Sequence, residues 1–130
     1  LNKHYRATIT SDIRNVAKAR EAVADFALDC GFPKEAVADV RLAAGEALSN
    51  AVEHVTRTRS GRIIVDCSFD GSALTVAVHG GGPGFPAPSD QISVQPNDRG
   101  RGFGIFLMRR LMDEVSFARN GAIVRLRRRI

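Results

Sequence analysis

The chain has 130 residues, 44% of them hydrophobic and 25% charged: one domain's worth of ordinary globular sequence, long enough to bury a core without metal or disulfide staples and too apolar to be disordered. No apolar run approaches the ~20 residues of a membrane-spanning helix and no charged-then-apolar leader opens the sequence, so a cytoplasmic protein without a membrane anchor is expected. The net charge of +5 rests on sixteen Arg and three Lys against fourteen acids, which favours anionic partners without choosing among nucleic acid, phosphates and acidic protein surfaces.

In chain order, His4 to Ile9 reads as a short strand with Tyr5, Ala7 and Ile9 on one face. Ser11 is placed to cap a helix whose apolar positions (Ile13, Val16, Ala17, Val23, Ala24, Ala27) recur at helical spacing up to Cys30, where Gly31 supplies a left-handed stop. Pro33 suits the first turn of a second helix running to about Val55. That helix is apolar nearly all round, which predicts a central position. Arg62 to Phe69 and Ala73 to Val78 read as strands joined at Asp70-Gly71-Ser72, a hairpin signal. From His79 to Arg99 periodicity collapses, and four of the five prolines fall here. A stretch of that length inside a compact domain is usually functional or disordered. Helical spacing resumes over Gly100 to Met112, and Glu114 to Arg119, Asn120-Gly121 and Ala122 to Arg129 close the chain as a hairpin. The order β-α-α-β-β-loop-α-β-β predicts one α+β domain over residues 1–130. It should be a two-layer α/β sandwich, with a mixed, mainly antiparallel sheet and helices packed on one face. Cys30 and Cys67 lack CxxC or His-partnered spacing and read as buried thiols of a reducing compartment.

Three constellations can carry chemistry. Glu46, Asn50 and His54 recur every four residues and so share one side of the second helix, ~6 Å apart along its axis. Such a stripe faces either water or a ligand, because buried polar groups are costly without partners. An acid followed one turn later by an amide can serve as general base and as ligand to a hard cation; Glu53 is the neighbouring decoy. The second is Gly80-Gly81-Gly82-Pro83-Gly84-Phe85, where missing side chains permit close backbone approach to a base or phosphate. The third, Arg99-Gly100-Arg101-Gly102-Phe103-Gly104-Ile105, opens a helix whose N–H groups and dipole make an anion site, with Arg101 adding charge. It is neither a Walker A loop nor the dinucleotide fingerprint. Taken singly, each motif also fits a structural role: a solvated stripe, a flexible turn, a helix start.

Together and in this order, ExxxNxxxH on a helix, a strand ending in GxGF, and GRGFGI opening a helix resemble the nucleotide-binding signature of the GHKL (Bergerat-fold) ATPases. LAAGEALSNAVEH and GRGFGIFLMRRLMDEV resemble more narrowly the anti-sigma-factor serine/threonine kinases of bacterial partner-switching systems, over essentially the whole chain. The resemblance implies ATP and Mg²⁺ as cofactors. It implies Glu46 as general base toward a serine of a protein substrate, Asn50 as Mg²⁺ ligand and His54 as support. It places Gly82 and Gly84 at the adenine pocket, a short ATP lid at about 86–99, and Gly100, Gly102 and Gly104 with Arg101 at the phosphates. It further implies a sigma factor and an anti-anti-sigma antagonist as partners, with a homodimer compatible. One departure stands out: the family's adenine-binding Asp falls at Gly80. His79 is no substitute, because alternate strand residues face opposite ways. An alternative is therefore a nucleotide-deficient, non-catalytic partner-binding module of the same fold. Nucleic-acid binding, suggested by Arg125-Leu126-Arg127-Arg128-Arg129, is disfavoured: the alternation puts Arg125 and Arg127 on a solvated strand face, and no DNA- or RNA-binding signature accompanies it.

Overall fold

A computed structural model describes residues 2–58, 61–80, 101–118 and 122–130. The elements are β1 (Lys3–Ile9), α1 (Ile13–Asp29), α2 (Lys34–Thr58), β2 (Ile63–Phe69), β3 (Ala73–Gly80), α3 (Arg101–Leu111), β4 (Glu114–Ala118) and β5 (Ile123–Arg129). The order expected from sequence is the order found.

Local chemistry explains most boundaries. Asp12, not Ser11, caps α1: its Oδ1 accepts from the Arg14 N–H at 2.8 Å. A carboxylate there does what a hydroxyl would do and adds charge toward the positive end of the helix dipole. At the other end Gly31, with φ of +99°, turns the chain as expected. Phe32 N–H donates to the Ala27 carbonyl and Gly31 N–H to that of Leu28, the bond pair that closes a helix through a left-handed glycine. In the β2–β3 turn, Asp70 Oδ1 accepts from the Ser72 and Ala73 N–H groups and the Ser72 hydroxyl at 2.8–2.9 Å. These bonds hold the Asp70 carboxyl well down, at about 2.

All four strand pairings are antiparallel, in the order β1-β2-β3-β5-β4. The parallel component allowed by a mixed sheet is absent among the described residues. The two hairpins bring β3 beside β5, so β4 becomes an edge. Burial alternates along β2, and Ile63, Val65, Cys67 and Phe69 face the helices with Leu74, Val76, Val78, Val124 and Leu126. The helix read as central is central: α2 packs on α1, α3 and three strands. Val40, Ala43, Ala44, Ala47 and Leu48 are wholly buried there.

Two further expectations change. β3 runs two residues past Val78, because Ile63 pairs with Gly80 and the Gly80 N–H donates to the Ala122 carbonyl at 2.8 Å. Glycine is tolerated at that strand end because the ladder, not a side chain, holds it. Cys67 is buried as expected, but Cys30 is only half-buried, at the C-terminal cap of α1. Burial pushes the Cys67 thiol up to about 12 and raises Cys30 less. No helix among the described residues is long and apolar enough to cross a membrane.

The arginine run at the chain end is more internally paired than a solvated face requires. Arg127 meets Glu114 at 3.2 Å and Arg129 meets Asp113 at 3.6 Å. Half-buried Arg128 reaches Asp39 of α2 at 3.0 Å and donates to the Leu111 carbonyl at 2.6 Å. It thereby ties the C-terminus of α3 to α2 and β5.

Candidate functional site

The stripe on α2 runs inward rather than along a solvated face. Glu46 and Asn50 are half-buried and His54 is 1% exposed, whereas Glu53 beside them is exposed. The helical repeat of four places the three side chains in a row. What decides their environment is which elements the row meets.

At one end the row meets α3. A Cβ on Gly104 would lie 2.6 Å from Glu46 Oε1, closer than carbon and oxygen approach without displacement. Gly104 is buried and is the fourth residue of α3. The carboxylate is therefore laid against the N-terminal half of that helix, in a space that exists because residue 104 has no side chain. Acids are favoured there by the partial positive charge of the helix start. The sequence that places them is local on each side: GEALSN for the acid, GRGFGI for the cradle.

At the other end the row meets β3. A Cβ on Gly80 would lie 3.1 Å from His54 Cδ2 and 3.7 Å from the Ala51 carbonyl oxygen. Gly80 thus presents its side-chain direction to α2, and the imidazole fills that direction. His79 faces the opposite side of the sheet, between Ile64 and Ile123 in register, as strand alternation requires. Asn50, Ala51, His54, Val78, Gly80, Ala122 and Val124 enclose a cavity of about 10 Å³, space of the order of one water.

The structure therefore brings together Glu46, Asn50, His54, Gly80 and Gly104. Arg101 and Gly102 open α3. Gly82, Gly84, Gly100 and the proposed lid at 86–99 lie outside the described residues. Sequence reasoning missed the direct contact between His54 and Gly80, although both were singled out separately. It also missed Arg128 as the side chain that anchors the far end of α3; an inward position beside Val124 and Leu126 was the available signal. Chemically, the arrangement offers a carboxylate near a helix N-terminus, an amide one turn away, and a packed imidazole closing the β3 end.

The family model described as histidine kinase-like ATPase domain matches residues 9–128. Among curated proteins, the chain is similar to a serine-protein kinase RsbW of Listeria monocytogenes serovar 1/2a, with 30% identity over 109 residues covering 77% of this chain and 69% of that protein. A serine-protein kinase RsbW of Listeria innocua serovar 6a is 29% identical over the same shares. An anti-sigma F factor of Thermoanaerobacter sp. is 28% identical over 123 residues, 89% of this chain and 86% of that protein.

Proposed function

The chain belongs to the histidine kinase-like ATPase family, with relatives named as serine-protein kinases and anti-sigma factors, and from that premise we propose an ATP- and Mg²⁺-dependent serine/threonine protein kinase that phosphorylates an anti-anti-sigma antagonist and sequesters a sigma factor. The observation that carries the reading is Glu46 laid on α3 at Gly104, with Asn50 one turn further along α2.

In this reading Glu46 is the general base that orients and deprotonates the acceptor hydroxyl. Asn50 offers an amide oxygen to Mg²⁺, a hard cation that needs only one or two protein oxygens when phosphates and waters complete its shell. The family's motif pattern assigns Gly100, Gly102 and Gly104 with Arg101 to the phosphates, which suits the N–H groups and dipole of a helix start. The family's motif pattern also assigns Gly82 and Gly84 to the adenine pocket and residues 86–99 to a lid, and in this reading His54 supports Asn50 from the β3 end. Bound ATP supplies the transferable phosphoryl group, whose passage requires positioning and charge neutralisation more than covalent chemistry by the protein.

His54 against Gly80 favours the second reading, a partner-binding module deficient in nucleotide. The imidazole takes the side on which an Asp at position 80 would place its carboxylate. Calorimetry with Mg²⁺-ATP separates the two readings. A dissociation constant below a millimolar, with Glu46→Gln binding normally but transferring phosphate to an anti-anti-sigma protein at least ~100-fold more slowly, supports the kinase. No binding at millimolar ATP supports the module.

A further inference from the structure

Helix α3 has two unlike faces. Gly104 and Met108 are buried toward α2. Outward, Phe103 is 50% exposed and Phe106 42% exposed. The two rings stack on each other with centroids 6.3 Å apart and planes 13° from parallel. The Arg110 guanidinium lies over the Phe106 ring at 5.8 Å. Positions 103, 106 and 110 follow the three- and four-residue spacing of a single helix face.

The helix that carries this face is also one-sided in charge, and Arg110 is the cation on the face itself. The sequence of α3, RGFGIFLMRRL, contains three Arg and no acid. The acids that follow it are engaged elsewhere: Asp113 by Arg129, and Glu114 by Arg127 and Arg129. Among the described residues Arg110 meets no carboxylate. Exposed phenyl rings framed by arginine are the composition enriched at the centres of protein interfaces, where lysine and acids are depleted.

We infer that the outward face of α3, Phe103, Phe106 and Arg110, is a docking surface for an acidic amphipathic helical segment of a protein partner. The phenyl rings take apolar residues at three- and four-residue spacing, and Arg110 takes a flanking carboxylate, bidentate where geometry allows. Single-stranded nucleic acid is the less fitting occupant. It needs open ring faces on which bases stack, whereas Phe106 already has Phe103 beside it and a guanidinium over it. The surface goes beyond the kinase reading and does not require nucleotide. It lies next to Gly104, so a segment docked here sits on the same helix that holds Glu46, on its opposite side.

The test uses fluorescence anisotropy on the full chain without nucleotide. The probes are two helical peptides sharing one leucine stripe, one otherwise glutamate and one otherwise lysine, together with an oligo-dT strand. The glutamate peptide is expected to bind at least tenfold more tightly than the lysine peptide, and several-fold more weakly when salt is raised from 50 to 300 mM. Arg110→Glu and Phe106→Ser should each weaken it at least tenfold. Arg125→Glu, on the opposite face of the sheet, should change it less than twofold. Glu46→Gln should leave it unaltered, which separates failure of docking from failure of the kinase reading. The proposal is overturned by equal binding of the two peptides, by tighter binding of oligo-dT, or by insensitivity to Arg110→Glu. Sedimentation showing a dimer that Phe106→Ser dissolves would assign the face to a second copy instead. Should Phe106→Ser unfold the chain, the Arg110→Glu result decides alone.

Discussion

The two ends of the Glu46–Asn50–His54 row use the same device to opposite effect. At α3 the absent Cβ of Gly104 makes room for a half-buried carboxylate; at β3 the absent Cβ of Gly80 makes room for a fully buried imidazole. The first space holds the end of a flexible side chain beside a helix start. The second holds a rigid ring inside the packing of α2 against the sheet. A glycine in a motif is therefore informative only together with what fills its vacancy: one end is built for a charge that can move, and the other is closed.

Substitutions at the glycines should break this contrast most visibly. Gly104→Ala is expected to lower phosphate transfer by about 10²- to 10⁴-fold, the usual contribution of a positioned general base. Thermal unfolding of the same variant should show stability unchanged or raised by up to ~1 kcal/mol, since alanine favours a helix interior and Glu46 can swing away. Loss of both activity and fold would mean that Glu46 is packed as rigidly as His54.

The β3 end should respond in stability instead. His54→Ala should cost ~3 kcal/mol in urea unfolding, as for other large buried truncations. Gly80→Ala should cost about 1–3 kcal/mol, because a ring cannot retreat as a carboxylate can. Made together, the two changes should fall short of additivity by at least ~1 kcal/mol, the signature of residues in contact. The same logic predicts that Gly80→Asp alone destabilises the chain without improving ATP affinity, whereas Gly80→Asp with His54→Ala improves it. Strict additivity in the first cycle would dissolve the pairing.

Smaller effects provide controls away from the row. Thiol labelling at pH 8 should modify half-buried Cys30 first and Cys67 only on unfolding. The folded Cys67 keeps its proton to about pH 12. An unfolded thiol releases it near ~8.5, so this group lowers stability as pH rises through that window. Asp70 works in the other direction. Its folded value of about 2 lies below that of an unfolded Asp, ~3.9. The stability it contributes is present above pH ~4 and fades as pH falls toward 2. Asp70→Ala should therefore flatten the acid limb of the unfolding midpoint while leaving the glycine variants' pattern untouched.

Much of the architecture was legible because it is written in local periodicity. The four-residue spacing of Glu46, Asn50 and His54, the Asp70-Gly71-Ser72 turn and the left-handed Gly31 each follow from geometry within a few residues. The helix cap shows the limit of that precision: Ser11 and Asp12 are both competent acceptors, and only the chain's path selects Asp12. The end of β3 was misplaced for a different reason. His79-Gly80 carries little strand propensity, yet pairing with Ile63 and the bond to Ala122 extend the ladder through it.

The sequence by itself determined the order of elements, the row on α2, the glycine-rich motifs and the basic, aromatic composition of α3. Only the tertiary structure decided that Gly104 receives Glu46, that Gly80 receives His54, that Arg128 anchors α3 to α2, and that Phe103 and Phe106 point outward. Those are meetings between residues distant in the chain. No periodicity specifies them, because each depends on how closely two packed elements approach, and there the presence or absence of a single Cβ decides which side chain fits.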